Sequence, residues 1–216
     1  MADALTWAAV CGTVAVLVFY EALLLMLQRR RPELMARTRH AELRKDWFLA
    51  VTEQKGSEVL AVQTLRNSLM SATVLASTAA LALMGTVTLA APSLHEGIDA
   101  AHGIRSISPR LVLELVLLGL LFASLVSTMM AVRFYNHAGF VGGMPVGSEV
   151  RRRWSPAGVR YVRRAGLLYG FGLRQLILVV PVVAATLYPA AGPVAALIVA
   201  AVLFSFDRYV DGSPES

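Results

Sequence analysis

Apolar residues fall into long blocks along this chain, separated by shorter polar stretches. The blocks cover about residues 5–27, 67–91, 111–132, 165–188 and 193–206. A helix that crosses a bilayer needs about 20 mostly apolar residues, so the first four blocks predict transmembrane helices. The fifth block is short, and a re-entrant hairpin is the alternative to a fifth crossing. The pattern predicts an all-α, polytopic membrane helix bundle with about five transmembrane helices, forming one membrane domain over residues 1–216.

Proline and glycine predict where several helices end. Pro92 is expected to end the second apolar helix, and the run Pro189–Pro193 is expected to separate the fourth helix from the fifth. Gly142–Pro145 predicts a further break. A new helix is then expected near Pro156, with Ser155 as its N-cap.

The two polar connections at residues 28–58 and 133–164 are predicted to be basic cytoplasmic loops. Within the first, residues 36–50 predict an amphipathic helix at the membrane interface, anchored by Trp47 and Phe48. The second carries three arginines at helical spacing that would form one interfacial basic face: Arg160, Arg163 and Arg164.

Lysine and arginine are distributed unevenly between the connections. Nine lie between the first and second blocks and seven between the third and fourth, against two between the second and third. Cytoplasmic loops carry the excess of basic residues. The distribution predicts a multi-pass protein of the cell (inner) membrane, with its N-terminus outside and its C-terminus in the cytoplasm.

Composition agrees with a membrane protein and excludes other classes. The chain has 216 residues, of which 56% are hydrophobic and 16% charged; disordered chains and ordinary soluble domains are both less apolar. Its one cysteine, Cys11, excludes an internal disulfide framework. The net charge of +6 is explained by the basic loops and by attraction to anionic lipid headgroups, so we expect no nucleic-acid partner.

Motifs of soluble enzymes do not occur in the sequence. It contains no phosphate-binding loop, no dinucleotide fingerprint, no nucleophile elbow and no HExxH zinc motif. The four histidines are scattered without ligand spacing. We therefore expect no catalytic residue, no metal site and no cofactor.

A small set of polar residues lies inside the apolar blocks or at their rims. Its members are Glu21, Arg66, Asn67, Asn136, His137 and Arg174. A charge near the middle of a transmembrane helix costs about 2.5–3.5 kcal/mol on insertion scales. Arg174 is therefore predicted to pair with Glu21 or, failing that, with Asp207. A purely structural ion pair is the alternative to a ligand or ion pathway, and arginines at the rims could simply reach the headgroups.

Three sequence blocks resemble a known family. They are Gln63–Thr73 followed by Leu75–Thr78, then Arg133–Phe140, and finally Gly170-x-Gly172-x-Arg174 with the later Gly192-Pro193. These blocks resemble the domain-of-unknown-function family 599 of small multi-span membrane proteins over about residues 59–208. The resemblance implies a membrane protein, supplies no activity, and groups as its polar set Arg66, Asn67, Asn136, His137 and Arg174.

Two functions of different class follow from these features. The first is a channel or transporter module, which would need a homo-oligomer because so few helices cannot easily enclose a pore. In such a module, the polar set shared with the family would converge on one donor-rich site near the cytoplasmic side, suited to an anion. Its members are Arg66, Asn67, Asn136, His137 and Arg174. The second is a non-transporting assembly or regulatory subunit, in which the same residues lock the helices together.

Overall fold

The computed structural model of the chain describes residues 2–32, 35–99 and 108–208. That part folds into seven α-helices and contains no strand, so the predicted all-α class is confirmed. The helices are α1 (Ala2–Arg30), α2 (Ala36–Glu53), α3 (Glu58–Asp99), α4 (Pro109–Gly142), α5 (Glu149–Ile177), α6 (Val179–Leu187) and α7 (Ala191–Asp207).

Within the described residues, four helical stretches are long and apolar enough to cross a membrane: Asp3–Arg30, Glu58–Ser93, Pro109–Gly142 and Glu149–Leu187. Together with the other helices they form a helical membrane bundle. The predicted fifth span corresponds to α7, an apolar helix of only 17 residues. Whether α7 crosses the bilayer or re-enters it stays a prediction, as do the limits of the spans.

The chain divides into two compact units. Unit 1 comprises Met1–Arg31, Thr78–Ser124 and Arg174–Phe206, and unit 2 comprises Pro32–Ser77, Leu125–Leu173 and Asp207–Ser216. Helices α3, α4 and α5 each contribute residues to both units.

The core of unit 1 is built on one face of α1. Val10, Leu17, Tyr20 and Leu24 recur at spacings of seven, three and four residues, so the helix aligns them in one buried stripe. This stripe packs against buried apolar residues of the later helices: Leu113, Leu178, Val182, Ala185 and Ala196. The apolar block that predicted this membrane span therefore also supplies the contacts of α1 with the later helices.

The core of unit 2 is built around Phe48, whose side chain is fully buried. The ring packs with apolar faces of α3, α4 and α5, including Leu65, Tyr135 and Val162. The helix predicted over residues 36–50 is confirmed as α2. The prediction that Phe48 anchors this helix at the membrane interface is wrong, because the ring is in the core of unit 2.

Two of the predicted breaks behave as expected. Tyr188 is extended because the following Pro189 disfavours the helical conformation, and this separates α6 from α7. Gly142 ends α4, and the short connection 143–148 leads to α5. An additional interruption occurs at Leu178, between α5 and α6. Pro181 explains it, since this residue has no N–H to donate to the carbonyl of Ile177.

Other predicted boundaries are wrong. Helix α3 continues through Pro92 to Asp99, and α5 begins at Glu149, so Pro156 lies inside a helix and Ser155 is not an N-cap. The stretch 133–164 is mostly helical, because Tyr135, Ala138 and Val141 extend the buried face of α4 beyond the apolar block.

Gly158 of α5 offers a direct test of the packing around Phe48. A Cβ at this position would lie 2.6 Å from the Phe48 ring and 2.9 Å from Val141. Because both neighbours are buried, we expect Gly158→Ala to destabilise the protein by about 1–3 kcal/mol, a typical cost of overpacking. Thermal unfolding in detergent measures the change.

Gly170→Ala is the matched control on the same helix. A Cβ there would meet no atom within 4 Å, so the substitution should raise stability by up to about 1 kcal/mol through helix propensity alone. Equal effects of the two alanines would contradict the close approach of α5 to Phe48.

Candidate functional site

In unit 1, two of the predicted polar residues meet. Arg174 Nε lies 3.3 Å from Glu21 Oε1, and the two side chains are 12% and 26% exposed. The buried Gln175 donates a hydrogen bond from Nε2 to the same carboxylate oxygen, at 2.9 Å. The predicted pairing of Arg174 with Glu21 is confirmed, and the positive charge of Arg174 is matched by a carboxylate.

In unit 2, a cavity of about 650 Å³ lies along α3, α4 and the start of the connection that follows α4. We call it the Arg66 cavity. Its lining residues are Val62, Leu65, Arg66, Leu69, Tyr135, Asn136, Gly139, Phe140, Gly143, Met144 and Pro145. Two residues of the predicted polar set, Arg66 and Asn136, are therefore brought together on one cavity.

The Arg66 cavity combines an apolar wall with two exposed donor side chains. Its wall is dominated by aliphatic and aromatic residues, whereas Arg66 supplies a guanidinium and Asn136 an amide. Within the described part of the chain, neither side chain has a hydrogen-bond or ion-pair partner. Unlike Arg174, Arg66 thus has a charge that no carboxylate among the described side chains matches.

The remaining members of the predicted set lie at the surface of unit 2. Asn67 is exposed, and its backbone carbonyl accepts a hydrogen bond from the Ser71 hydroxyl. The exposed His137 ring lies 5.4 Å from the ring of Tyr161, centroid to centroid. The structure therefore places Arg66 and Asn136 on one cavity of unit 2, and it pairs Arg174 with Glu21 in unit 1. Convergence of the whole set on one site stays a prediction.

A further charged pair, not expected from the sequence, holds the connection 143–148 in unit 2. The Glu58 carboxylate accepts a hydrogen bond from the Val146 N–H at 3.0 Å. Arg151 is only 2% exposed and donates from Nη1 to the Met144 carbonyl. The sequence shows Arg151 only as the first of three consecutive arginines, so nothing in the pattern distinguished it.

Unit 1 also contains a buried carboxylate that does not belong to the predicted polar set. Glu114 of α4 is 7% exposed, and its Oε1 accepts from Arg110 Nε at 2.8 Å. The Ser93 hydroxyl lies 3.5 Å from the same oxygen. The spacing of four residues between Arg110 and Glu114 was the available signal, since such pairs face each other on a helix.

Comparison with known proteins gives one result. A family model described as "Protein of unknown function, DUF599" matches residues 8–211, nearly the whole chain. The match is wider than the stretch 59–208 that carries the sequence resemblance. No curated protein and no solved structure matches the chain.

The Glu21–Arg174 pair can be tested by charge removal. Because a buried ion pair that loses one partner leaves an unmatched charge, Arg174→Leu and Glu21→Leu should each destabilise the protein by about 3 kcal/mol. The double variant should recover much of this loss. Thermal unfolding of the three variants gives the coupling energy, and strictly additive losses would contradict a mutual pair.

Proposed function

The chain belongs to the DUF599 family, and we propose that it is a membrane transport module that binds an amphiphilic anion in the Arg66 cavity. The ligand class is an anionic head on an apolar tail. The observation that carries the proposal is the unmatched guanidinium of Arg66 on a cavity whose walls are otherwise largely apolar.

The chemistry of the lining supports this ligand class. A planar guanidinium with a neighbouring amide donates several hydrogen bonds, and this suits the oxygens of a carboxylate or phosphate. The aliphatic and aromatic walls would exclude a hydrated small ion but would accommodate an acyl chain. The volume of about 650 Å³ lies within the range of about 300–1,000 Å³ that is common for ligand pockets.

The proposal assigns different roles to the two arginines. Arg174 is matched by Glu21, so it stabilises the fold of unit 1 and does not bind the ligand. Arg66 binds the anionic head and Asn136 orients it. No reaction is part of this role, and transport would require a homo-oligomer because the helices of one chain are too few to enclose a path easily.

Binding can be measured on the full chain in neutral detergent with a fluorescent long-chain carboxylate. Arg66→Gln should weaken binding about tenfold, since hydrogen bonds to charged groups contribute about 1.5–3 kcal/mol. Asn136→Leu should weaken it about fivefold, as expected for one neutral hydrogen bond of about 1 kcal/mol. The matched control is Arg133→Gln, which removes an exposed arginine of α4 that does not line the cavity.

The probe itself also has a control. The control ligand is the long-chain alcohol with the same tail, which carries no anionic head. Its affinity for the wild type should be about as low as the affinity of the carboxylate for Arg66→Gln. Equal affinity of the acid and the alcohol would refute recognition of the head by Arg66. Binding without flux in reconstituted liposomes would instead favour the non-transporting subunit.

The proposal includes an orientation with the N-terminus outside and the C-terminus in the cytoplasm. The loop distribution of lysine and arginine supports it. The exposed face formed by Arg160, Arg163 and Arg164 would then meet anionic headgroups on the cytoplasmic side.

Cysteine labelling tests this orientation in intact cells after Cys11→Ser removes the native thiol. A membrane-impermeant reagent should label Ser108→Cys and should leave Lys55→Cys unlabelled until the cells are opened. Both positions are exposed, so access is not limited by burial. Labelling of Lys55→Cys from outside would reverse the proposed orientation.

A further inference from the structure

Arg151 is a buried cation with unused donors. Its side chain is almost completely removed from solvent, and one nitrogen, Nη1, donates to the Met144 carbonyl. The other two nitrogens, Nε and Nη2, are buried and have no hydrogen-bond partner in the described residues. Buried donors are nearly always satisfied in folded proteins, so this pair of N–H positions points to a missing acceptor.

The missing acceptor has room beside Arg151. A cavity of about 640 Å³ in unit 2 is lined by Arg151 and by residues of α2 and α5. We call it the Arg151 cavity. Its charged lining side chains are Lys45, Arg151 and Arg152 against the single carboxylate Glu53, and Ser155 adds a hydroxyl. The lining therefore carries an excess of positive charge and several donors.

We propose that the Arg151 cavity binds a phosphate group. A tetrahedral oxyanion with two negative charges would accept from Lys45 and Arg152, and from the unused N–H groups of Arg151 once this side chain turns toward the cavity. The planar guanidinium suits phosphate oxygens, and the lysine contributes a point charge. The source of the phosphate is either a soluble phosphate compound or the headgroup of a phospholipid, and both present the same chemistry to the site.

A purely structural role for Arg151 accounts for only part of the geometry. Glu58 acts on Arg151 through its charge, but its carboxylate is used by the Val146 N–H. The bond to Met144 uses one nitrogen. A structural clamp therefore leaves Nε and Nη2 unsatisfied, and it gives no reason for Lys45 and Arg152 to line the same space.

This site is distinct from the Arg66 cavity. The lining residues of the two cavities do not overlap, and the Arg151 cavity carries three cationic residues where the other carries one. The inference therefore does not depend on the proposed transport role. Lys45→Gln and Arg152→Gln change neither Arg66 nor the connection 143–148, so they should leave binding at Arg66 unchanged.

The test is titration calorimetry of the full chain in neutral detergent with inorganic phosphate at pH 8, against chloride at equal ionic strength. In parallel, native mass spectrometry of the chain from phosphatidylcholine nanodiscs measures retention of added phosphatidate, whose headgroup is a phosphate monoester. Saturable binding in the first experiment identifies a soluble source. Selective retention in the second with no phosphate binding identifies the lipid headgroup.

Variants of exposed lining residues give effects of opposite sign. Lys45→Gln and Arg152→Gln should each weaken binding about two- to fivefold, as expected for exposed charge pairs. Glu53→Gln should strengthen binding by a similar factor because it removes the opposing charge. The control is Arg153→Gln, which removes the next arginine of the same run; Arg153 lies over the Trp154 ring and does not line the cavity.

Arg151→Lys keeps a positive charge but removes the planar set of donors, and it should weaken binding at least tenfold. If this variant does not fold, the three exposed positions still decide the question. Absence of binding to both phosphate and phosphatidate would overturn the proposal. Equal losses in Arg152→Gln and Arg153→Gln would also overturn it, because general attraction to a basic surface would then explain the affinity.

Discussion

The cost of removing charge from water governs the internal arrangement of both units. An ion buried without a partner costs several kcal/mol, so a folded chain supplies a counter-charge, a polar atom or access to solvent. In unit 1, Arg174 has Glu21, and Glu114 has Arg110. In unit 2, the described residues give Arg151 the Met144 carbonyl as a hydrogen-bond acceptor and the charge of Glu58. The charge of Arg174 and that of Glu114 are each matched by an opposite charge, whereas two nitrogens of Arg151 have no hydrogen-bond partner among the described residues.

The sequence predicts the fold class and the helix pairing of unit 1 well, because both depend on simple patterns. In a bilayer, the backbone polar groups of a long apolar block can be hydrogen-bonded within the block only if it forms a helix. Two opposite charges within such blocks are expected to pair, as Glu21 and Arg174 do. It predicts helix limits less well. Pro92 and Pro156 lie inside helices although each lacks the N–H that an interior helix residue donates, so a proline in the sequence does not by itself locate a helix end.

The candidate sites of unit 2 could be predicted only in part, for a different reason. Arg66 and Asn136 are conspicuous in the sequence because they stand at the edges of apolar blocks. Arg151 has two identical neighbours, and successive residues of a helix point about 100° apart. One arginine of the run is therefore buried while Arg152 and Arg153 are exposed. Only the packing of α5 on α2 decides which one, and that packing depends on the buried Phe48 and the absent side chain at Gly158.

The connection 143–148 relates the two cavities of unit 2. Met144 lines the Arg66 cavity and its carbonyl accepts from Arg151, while Gly147 lines the Arg151 cavity. The backbone at Gly147 has a φ of +85°, which glycine adopts without strain. This residue lies just before α5, the helix that carries Arg151. Two contacts with charged side chains hold this connection: the Val146 N–H donates to Glu58, and the Met144 carbonyl accepts from Arg151. The shape of the apolar Arg66 cavity therefore depends on the same buried guanidinium that gives the Arg151 cavity its charge.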